Sequence, residues 1–370
     1  MKRLFILVVV FTIFLSSSIC QANETLIEAS GSYVMDSRLD ETPASATARA
    51  REEAKRAAVE KAGVYLRSYS KTVNFELDTD IVETVAARLL KIQSETSTIE
   101  VVEKNLLLFT VTIQAFVDEL NESDLRAMMN DRQLLNELTR RNKELQEKYD
   151  FLQTEIKKYR DEFDTANAMQ RSEIKRNVAR NSKNFSAVEA MARGNDFYFA
   201  KDLRQALSAY NEAIELNPQL AEAYNNRGIV KYEQGQYITA IDDYTTAINL
   251  KQNFADALNN RGNAYAVTNQ FQKATQDLQA ALKLKESATI RNNLGSVYLL
   301  QRNYDAAINE YSRAIKVNPQ YAEAFYNRAL AYYEKGNFVQ SFLDIKSAVS
   351  LKPGDTSILE LYKKINNKVL

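Results

Sequence analysis

Residues 221–254 read AEAYNNRGIVKYEQGQYITAIDDYTTAINLKQNF, and the same order of residue types recurs before and after them at a spacing of 34 residues, once 33. The copies are 187–220, 221–254, 255–287, 288–321 and 322–355. In the closing stretch, 356–370, Ile358, Leu361, Tyr362 and Ile365 keep helical spacing and predict a capping helix. The eighth position of each copy is small (Gly194, Gly228, Gly262, Gly295, Ala329), and so is the twentieth (Ala206, Ala240, Ala274, Ala307, Ser341). Bulk at these two offsets would push apart two helices that must approach closely. The seventeenth position is aromatic in Tyr237, Phe271, Tyr304 and Phe338, and Pro218, Pro319 and Pro353 stand where the second helix must stop, since proline cannot continue it. Each copy is therefore expected to be a helical hairpin that cannot bury its apolar face alone and stacks on its neighbours, giving an α-solenoid of five hairpins.

This pattern resembles the tetratricopeptide repeat over residues 187–355. The resemblance implies that the first helix of each repeat lines a concave groove. On that helix the sixth position holds Asn226, Asn260, Asn293 and Asn327, with Ala192 in the first copy, and three of these follow another Asn, at 225, 259 and 292. A carboxamide offers two donors and an acceptor, so a row of them at one repeat spacing suits successive backbone amides of an extended peptide. The row looks like the asparagine ladder in the tetratricopeptide groove of O-GlcNAc transferase, whose catalytic domain has no counterpart here. The other reading of the same residues is that they are solvated or tie adjacent turns together. Tyr232 and Tyr333, at the twelfth position, are candidate contact surface for the same peptide. Arg193, Arg227, Arg261 and Arg328 at the seventh position, with Asp243, Asp277 and Asp344 at the twenty-third, suit bidentate struts between helices. The fourth copy departs, with Leu294 in place of Arg and Glu310 at the acidic position, and the first sets Ala209 opposite Arg193.

The chain's 370 residues include 48 Lys plus Arg, 48 Asp plus Glu, one Cys and no His. A formal charge of zero leaves no electrostatic footprint for nucleic acid. The N-terminus, MKRLFILVVVFTIFLSSSICQA, has two basic residues, an apolar run from Leu4 to Leu15 and small residues near Ala22, the form of a secretory signal peptide cleaved after Ala22. Lipidation of Cys20 is the rival reading, although Ser17-Ser18-Ile19 lacks the residues that usually precede a lipidated Cys, and an uncleaved anchor is a third. The mature chain would lack both Cys and His, which excludes zinc sites built from them, Ser-His-Asp and Cys-His nucleophile systems and imidazole relays. No phosphate loop occurs among the nine Gly. No catalytic residue, metal ligand or cofactor is expected.

Residues 121–185 are read as a coiled coil and a basic hinge. Leu135, Asn142, Tyr149, Ile156 and Phe163 occupy one seam position and Leu138, Leu145, Leu152 and Tyr159 the other, about four heptads. Such a seam favours a homo-oligomer; the alternative is a helix folded back on the chain's own domains. Arg171 to Phe185 carries Arg171, Lys175, Arg176, Arg180 and Lys183 and reads as the hinge. Residues 23–120 form a small α+β domain: a strand over Leu26–Met35, an Ala-rich helix over Ala44–Ser70, a helix over Asp80–Ile92, and strands over Thr96–Glu103 and Leu107–Val117 joined at Lys104-Asn105. SATARAREEAKRAAVEKAGVYLRS and LLLFTVTIQAFVDEL resemble the N-terminal domain of the flagellar protein FlgT and related envelope lipoproteins, which implies an envelope assembly role and no active site. The layout of signal peptide, coiled coil and repeats is also similar to that of the cell-division coordinator CpoB. The expectation is a mainly α, non-enzymatic periplasmic or secreted scaffold, with residues 186–370 as the solenoid, that captures an extended segment of another envelope protein. The alternative is a structural protein whose groove meets peptidoglycan or a polysaccharide. Membrane attachment is expected only through the signal segment or a lipid on Cys20.

Overall fold

The computed structural model describes residues 11–14, 25–72, 82, 85–87, 89–117 and 132–369, and the chain divides into two units, residues 1–192 and 193–370. In the first unit an antiparallel sheet of order β1-β3-β4-β2 comprises β1 (Phe11–Phe14), β2 (Thr25–Asp36), β3 (Leu90–Glu103) and β4 (Leu106–Val117). Period-two alternation on β4 turns Phe109, Val111, Ile113, Ala115 and Val117 inward. Helix α1 (Pro43–Thr72) covers that face with a stripe of Ala46, Ala50, Ala54, Ala58 and Ala62, all buried. The stripe lets the helix sit so near the sheet that a Cβ on Gly31 of β2 would lie 2.2 Å from the Ala54 nitrogen. The helix opens at Thr42, whose Oγ1 accepts from the Ser45 backbone N–H (3.2 Å), and Pro43 takes the first position, where no N–H is needed.

Of the helix expected over Asp80–Ile92, residues 82, 85–87 and 89 are helical, and Val82, Val85, Ala86 and Leu89 join the core of α1 and the sheet. Strand β3 then begins at Leu90 rather than Thr96, because pairing with β4 runs from Leu90↔Val117 to Glu103↔Leu106 and overrides the weak pattern of Lys91-Ile92-Gln93-Ser94. Lys104-Asn105 make the hairpin turn, with Asn105 at φ +75°. Phe11–Phe14, inside the segment read as a signal peptide, pair antiparallel with Ser94–Ser97 of β3. Cys20 and Ala22 lie outside the described residues.

Two expectations for the middle segment are corrected. It is not one helix with a hinge but two helices, α2 (Arg132–Phe163) and α3 (Ala168–Phe199). At the break, Asn167 Oδ1 accepts from the Gln170 N–H (3.0 Å) and Gln170 Oε1 from the Asn167 N–H (2.9 Å), a reciprocal cap that starts α3. The basic stretch is helical throughout, and Ile174, Val178, Phe185 and Val188 are buried along it. Nor is the later part of the seam free for a second chain. Tyr149 and Leu152 pack with Ala48, Phe185 and Val188, while Phe163 packs with Leu39, Ile174 and Val178. A heptad states that a face needs cover, not whose; here α1 and α3 of the same chain provide it. The side chains of Leu135, Leu138, Asn142 and Leu145 lie outside the described residues.

A charged group that no periodicity marks is also buried in this unit. Arg49 is fully buried, with Nε 3.3 Å from Glu41 Oε1 and its guanidinium 5.1 Å from the Tyr33 ring centroid and 4.6 Å from that of Phe185. Burial pushes the Glu41 carboxyl above its ordinary value against the opposing pull of Arg49.

The second unit is a run of helical hairpins. The end of α3 pairs with α4 (Leu203–Leu216), α5 (Ala221–Glu233) with α6 (Tyr237–Leu250), α7 (Ala255–Val267) with α8 (Phe271–Leu284), α9 (Ala288–Leu300) with α10 (Tyr304–Val317) and α11 (Ala322–Glu334) with α12 (Phe338–Leu351). Helix α13 (Thr356–Val369) closes the array, burying Ile358, Leu361 and Ile365 beside Ala329, Ile345 and Ala348. The fifteenth position of every repeat turns the chain with positive φ: Lys201, Gly235, Asn269, Arg302 and Gly336, at +63°, +76°, +57°, +59° and +82°. Only glycine takes this conformation without a Cβ penalty. A Cβ on Gly336 would meet nothing within 4 Å, so Gly336→Ala tests the backbone alone. The expected outcome in urea denaturation is a loss of about 1 kcal/mol, with Arg302→Gly shifting stability by a smaller amount in the opposite direction.

Candidate binding groove

Each hairpin closes on the contact between its eighth and twenty-fourth positions. A Cβ on Gly194, Gly228 or Gly295 would stand 2.5, 2.6 or 2.7 Å from the ring of Tyr210, Tyr244 or Tyr311, and one on Gly262 2.8 Å from Leu278. Where the eighth residue is Ala329, the facing residue shrinks to Ile345, also buried. Burial pushes the Tyr244 and Tyr311 hydroxyls well above their ordinary values, so these rings stay neutral.

The expected struts are present. Arg227 forks Asp243 at 2.9 and 2.6 Å, Arg261 forks Asp277 at 2.7 and 2.9 Å, and Arg328 forks Asp344 at 2.7 Å twice. The third arm of each guanidinium reaches back one repeat, to Asn211 Oδ1 (2.8 Å), Thr245 Oγ1 (3.1 Å) and Ser312 Oγ (2.9 Å). One side chain thus ties the two helices of its own repeat and the second helix of the one before. The carboxylates hold the guanidinium pKa of Arg227, Arg261 and Arg328 above its ordinary value despite the cost of burial. In the fourth repeat the arginine has moved one turn earlier: Arg291 Nη1 donates to Glu310 Oε2 (2.8 Å) and its other nitrogens to Glu286, whose carboxyl it pulls down. In the first repeat Arg193 bonds Glu212 (2.6 Å) instead of a twenty-third residue.

The asparagines of the first helices form a hydrogen-bonded ladder. Asn226 Nδ2 donates to Asn195 Oδ1 (3.0 Å), Asn260 to Asn225 (3.1 Å), Asn293 to Asn259 (2.9 Å) and Asn327 to Asn292 (3.0 Å). Each bond crosses from one repeat to the preceding one. Within repeats, Asn225 donates to Asn226 (3.1 Å) and Asn259 to Asn260 (3.3 Å). Asn195, at the ninth position, stands in for the fifth-position acceptor that the first repeat lacks, where Met191 sits, and also accepts from the Tyr210 hydroxyl (2.9 Å). Asn225, Asn226 and Asn292 are buried, while Asn260, Asn293 and Asn327 are half-buried. These three spend one N–H on the ladder and keep the second, and the oxygens of Asn293 and Asn327 accept no bond from a described residue.

Tyr232 and Tyr333 lie across the turns of their own hairpins. Tyr232 meets Tyr237 edge-on at 5.1 Å and Tyr333 meets Phe338 at 5.4 Å, with Lys364 Nζ 4.6 Å from the Tyr333 ring. Both are half-buried, and burial, aided by Tyr237, pushes the Tyr232 hydroxyl above its ordinary value.

Family models described as TPR repeat match residues 194–235, 230–268 and 296–336, and one described as tetratricopeptide repeat matches 255–288. The C-terminal half is a tetratricopeptide-repeat solenoid. Human serine/threonine-protein phosphatase 5 is 28% identical over 183 residues, 50% of this chain and 23% of the phosphatase, and the similarity concerns the repeat region and not catalysis. The chain thus spans about a quarter of the length of that relative. Small glutamine-rich tetratricopeptide repeat-containing protein 2 of Mycosarcoma maydis is 42% identical over 57 residues, 15% of this chain and 16% of that protein. Among solved structures, YrrB, described as a TPR protein with an unusual peptide-binding site, aligns at 24% identity and TM-score 0.40, over 51% of this chain and 96% of its own. PilW, a type IV pilus biogenesis factor, aligns at 19% identity and TM-score 0.48, over 50% of this chain and 86% of its own. The matched residues are tetratricopeptide repeats, a repeat class that serves protein interaction.

Lysine keeps the charge of Arg261 but loses the fork and the backward arm. Arg261→Lys is expected to cost about 1–2 kcal/mol in chemical denaturation, more than the same change at Arg193, whose single bond is solvent-exposed.

Proposed function

We propose that this protein is a non-enzymatic scaffold of the bacterial periplasm, released by a cleavage after Ala22 that removes the edge strand β1 and leaves β3, β4 and β2 paired, and that its first-helix groove holds an extended segment of another envelope protein. The observation that carries the reading is the open half of the ladder. Asn260, Asn293 and Asn327 repeat at 33 and 34 residues, each tied to its neighbour by one N–H with the second left for a backbone carbonyl. Amides that already brace one another are held in place before a ligand arrives, so little side-chain entropy is lost on binding. Backbone recognition does not read side chains, which suits a scaffold for an extended segment. Asn226 is buried within the ladder and positions its neighbours, while Tyr232 and Tyr333 stiffen the hairpin turns flanking the groove.

The test is affinity capture from envelope extract with the mature chain beside the triple variant Asn260→Ala, Asn293→Ala, Asn327→Ala, both checked for equal helicity by circular dichroism. The expected outcome is a protein retained by the wild type and reduced about tenfold or more by the variant, followed by mapping of its bound segment. Equal retention by the two proteins would contradict the proposal.

A further inference from the structure

The thirteenth position of each repeat lies two helical turns beyond the sixth and therefore on the same face of the first helix as the ladder. In the second to fifth repeats it holds Glu233, Val267, Leu300 and Glu334, all exposed. Val267 and Leu300 expose 45% and 58% of their surface at the same position of adjacent repeats, which sets them side by side on this face. The two glutamates bracket them. Neither makes an ion pair with a described residue; Glu233 only accepts from the Tyr198 hydroxyl. The acidic residues at the second position of these helices differ in this respect. Glu222, Asp256 and Glu323 each pair with a lysine of their own repeat, Lys251, Lys285 and Lys352. The half-buried ninth-position residues Ile229 and Leu330, one turn before Glu233 and Glu334, are already used in packing. What the face offers a ligand is therefore two apolar side chains in the middle and one unneutralised carboxylate on either side.

Resting on the peptide-groove reading above, we infer that the occupant is an extended segment with two apolar side chains flanked by basic ones. Packed helices stand about 8–10 Å apart, and a chain extended as polyproline II advances about 3.1 Å per residue with about three residues per turn, so every third side chain faces the same row and successive repeats read roughly every third residue. The pattern is basic, apolar, apolar, basic, each about three residues after the last. The carboxylates complement the two cations and the apolar pair is covered on binding. The backbone between them faces the open amides two turns away.

Selection of random extended peptides on immobilised mature chain tests this. Enriched peptides are expected to carry Lys or Arg on both sides of two apolar residues at that spacing, to bind more weakly at high salt, and to lose about tenfold in affinity to Val267→Ser, Leu300→Ser. The charge-reversed variant Glu233→Lys, Glu334→Lys is expected to enrich acidic flanks instead. All four positions are exposed, so the variants leave the core intact. Enriched peptides that lose binding with Asn327→Ala but show no charge preference, or the same preference on the reversed variant, would overturn this inference and leave the groove reading standing. No enrichment at all would overturn both.

Discussion

The solenoid depends on one close crossing repeated in every hairpin: in four of the five the eighth residue has no room for a side chain against the residue facing it, and in the fifth it has room for a methyl group. In three repeats glycine meets a tyrosine ring at a distance a Cβ could not share, in one it meets Leu278, and in the last Ala329 faces Ile345, smaller than the tyrosines. That crossing brings the seventh and twenty-third positions within reach of a fork, and the fork's third arm reaches the preceding repeat. Arg227, Arg261 and Arg328 therefore hold the hairpin and its stacking with one planar group, which a lysine's point charge does not reproduce. The fourth repeat shows that the requirement is for the contact and not the position, since Arg291 supplies it from one turn earlier.

The asparagines carry two duties at once. A carboxamide has more hydrogen-bonding capacity than one neighbour can use, so the same side chain closes the seam between first helices and still presents a donor at the surface. The two sequence readings of this row, clamp and brace, are thus not exclusive. Bracing is what the hydrogen bonds record, and it is the condition under which a clamp would be preorganised.

Legibility in the sequence followed how directly a residue's neighbours are set by spacing. The hairpins, the small eighth and twentieth positions and the Arg–Asp forks were visible because the repeat places both partners at fixed offsets. Arg291 and Asn195 were missed because each fulfils a repeat's function from a different position, and only geometry shows that they reach the same place. The helical period of α3 is hidden by Asn181 and Ser182, polar residues lying in its buried stripe, while its start carries a sequence mark in the reciprocal cap of Asn167 and Gln170. The heptad of α2 marks a face needing cover and leaves two providers open, a second chain or the chain's own domains; around Tyr149, Leu152 and Phe163 the same chain provides it, which pattern alone could not decide. Arg49 illustrates the limit: nothing in local sequence marks an arginine enclosed by Tyr33, Glu41 and Phe185, which come together only when strand, loop and helix pack.

The most direct measurement is of the asparagine side-chain amides themselves, by nitrogen-resolved NMR of the labelled protein, each resonance assigned by substitution, during titration with a peptide that the groove retains. The result that follows from an open ladder is a joint, saturable shift of Asn260, Asn293 and Asn327, with the buried Asn225 and the outlying Asn217 little changed. Saturation of binding with those three resonances unmoved would show that the ladder is only a brace and that the ligand sits elsewhere.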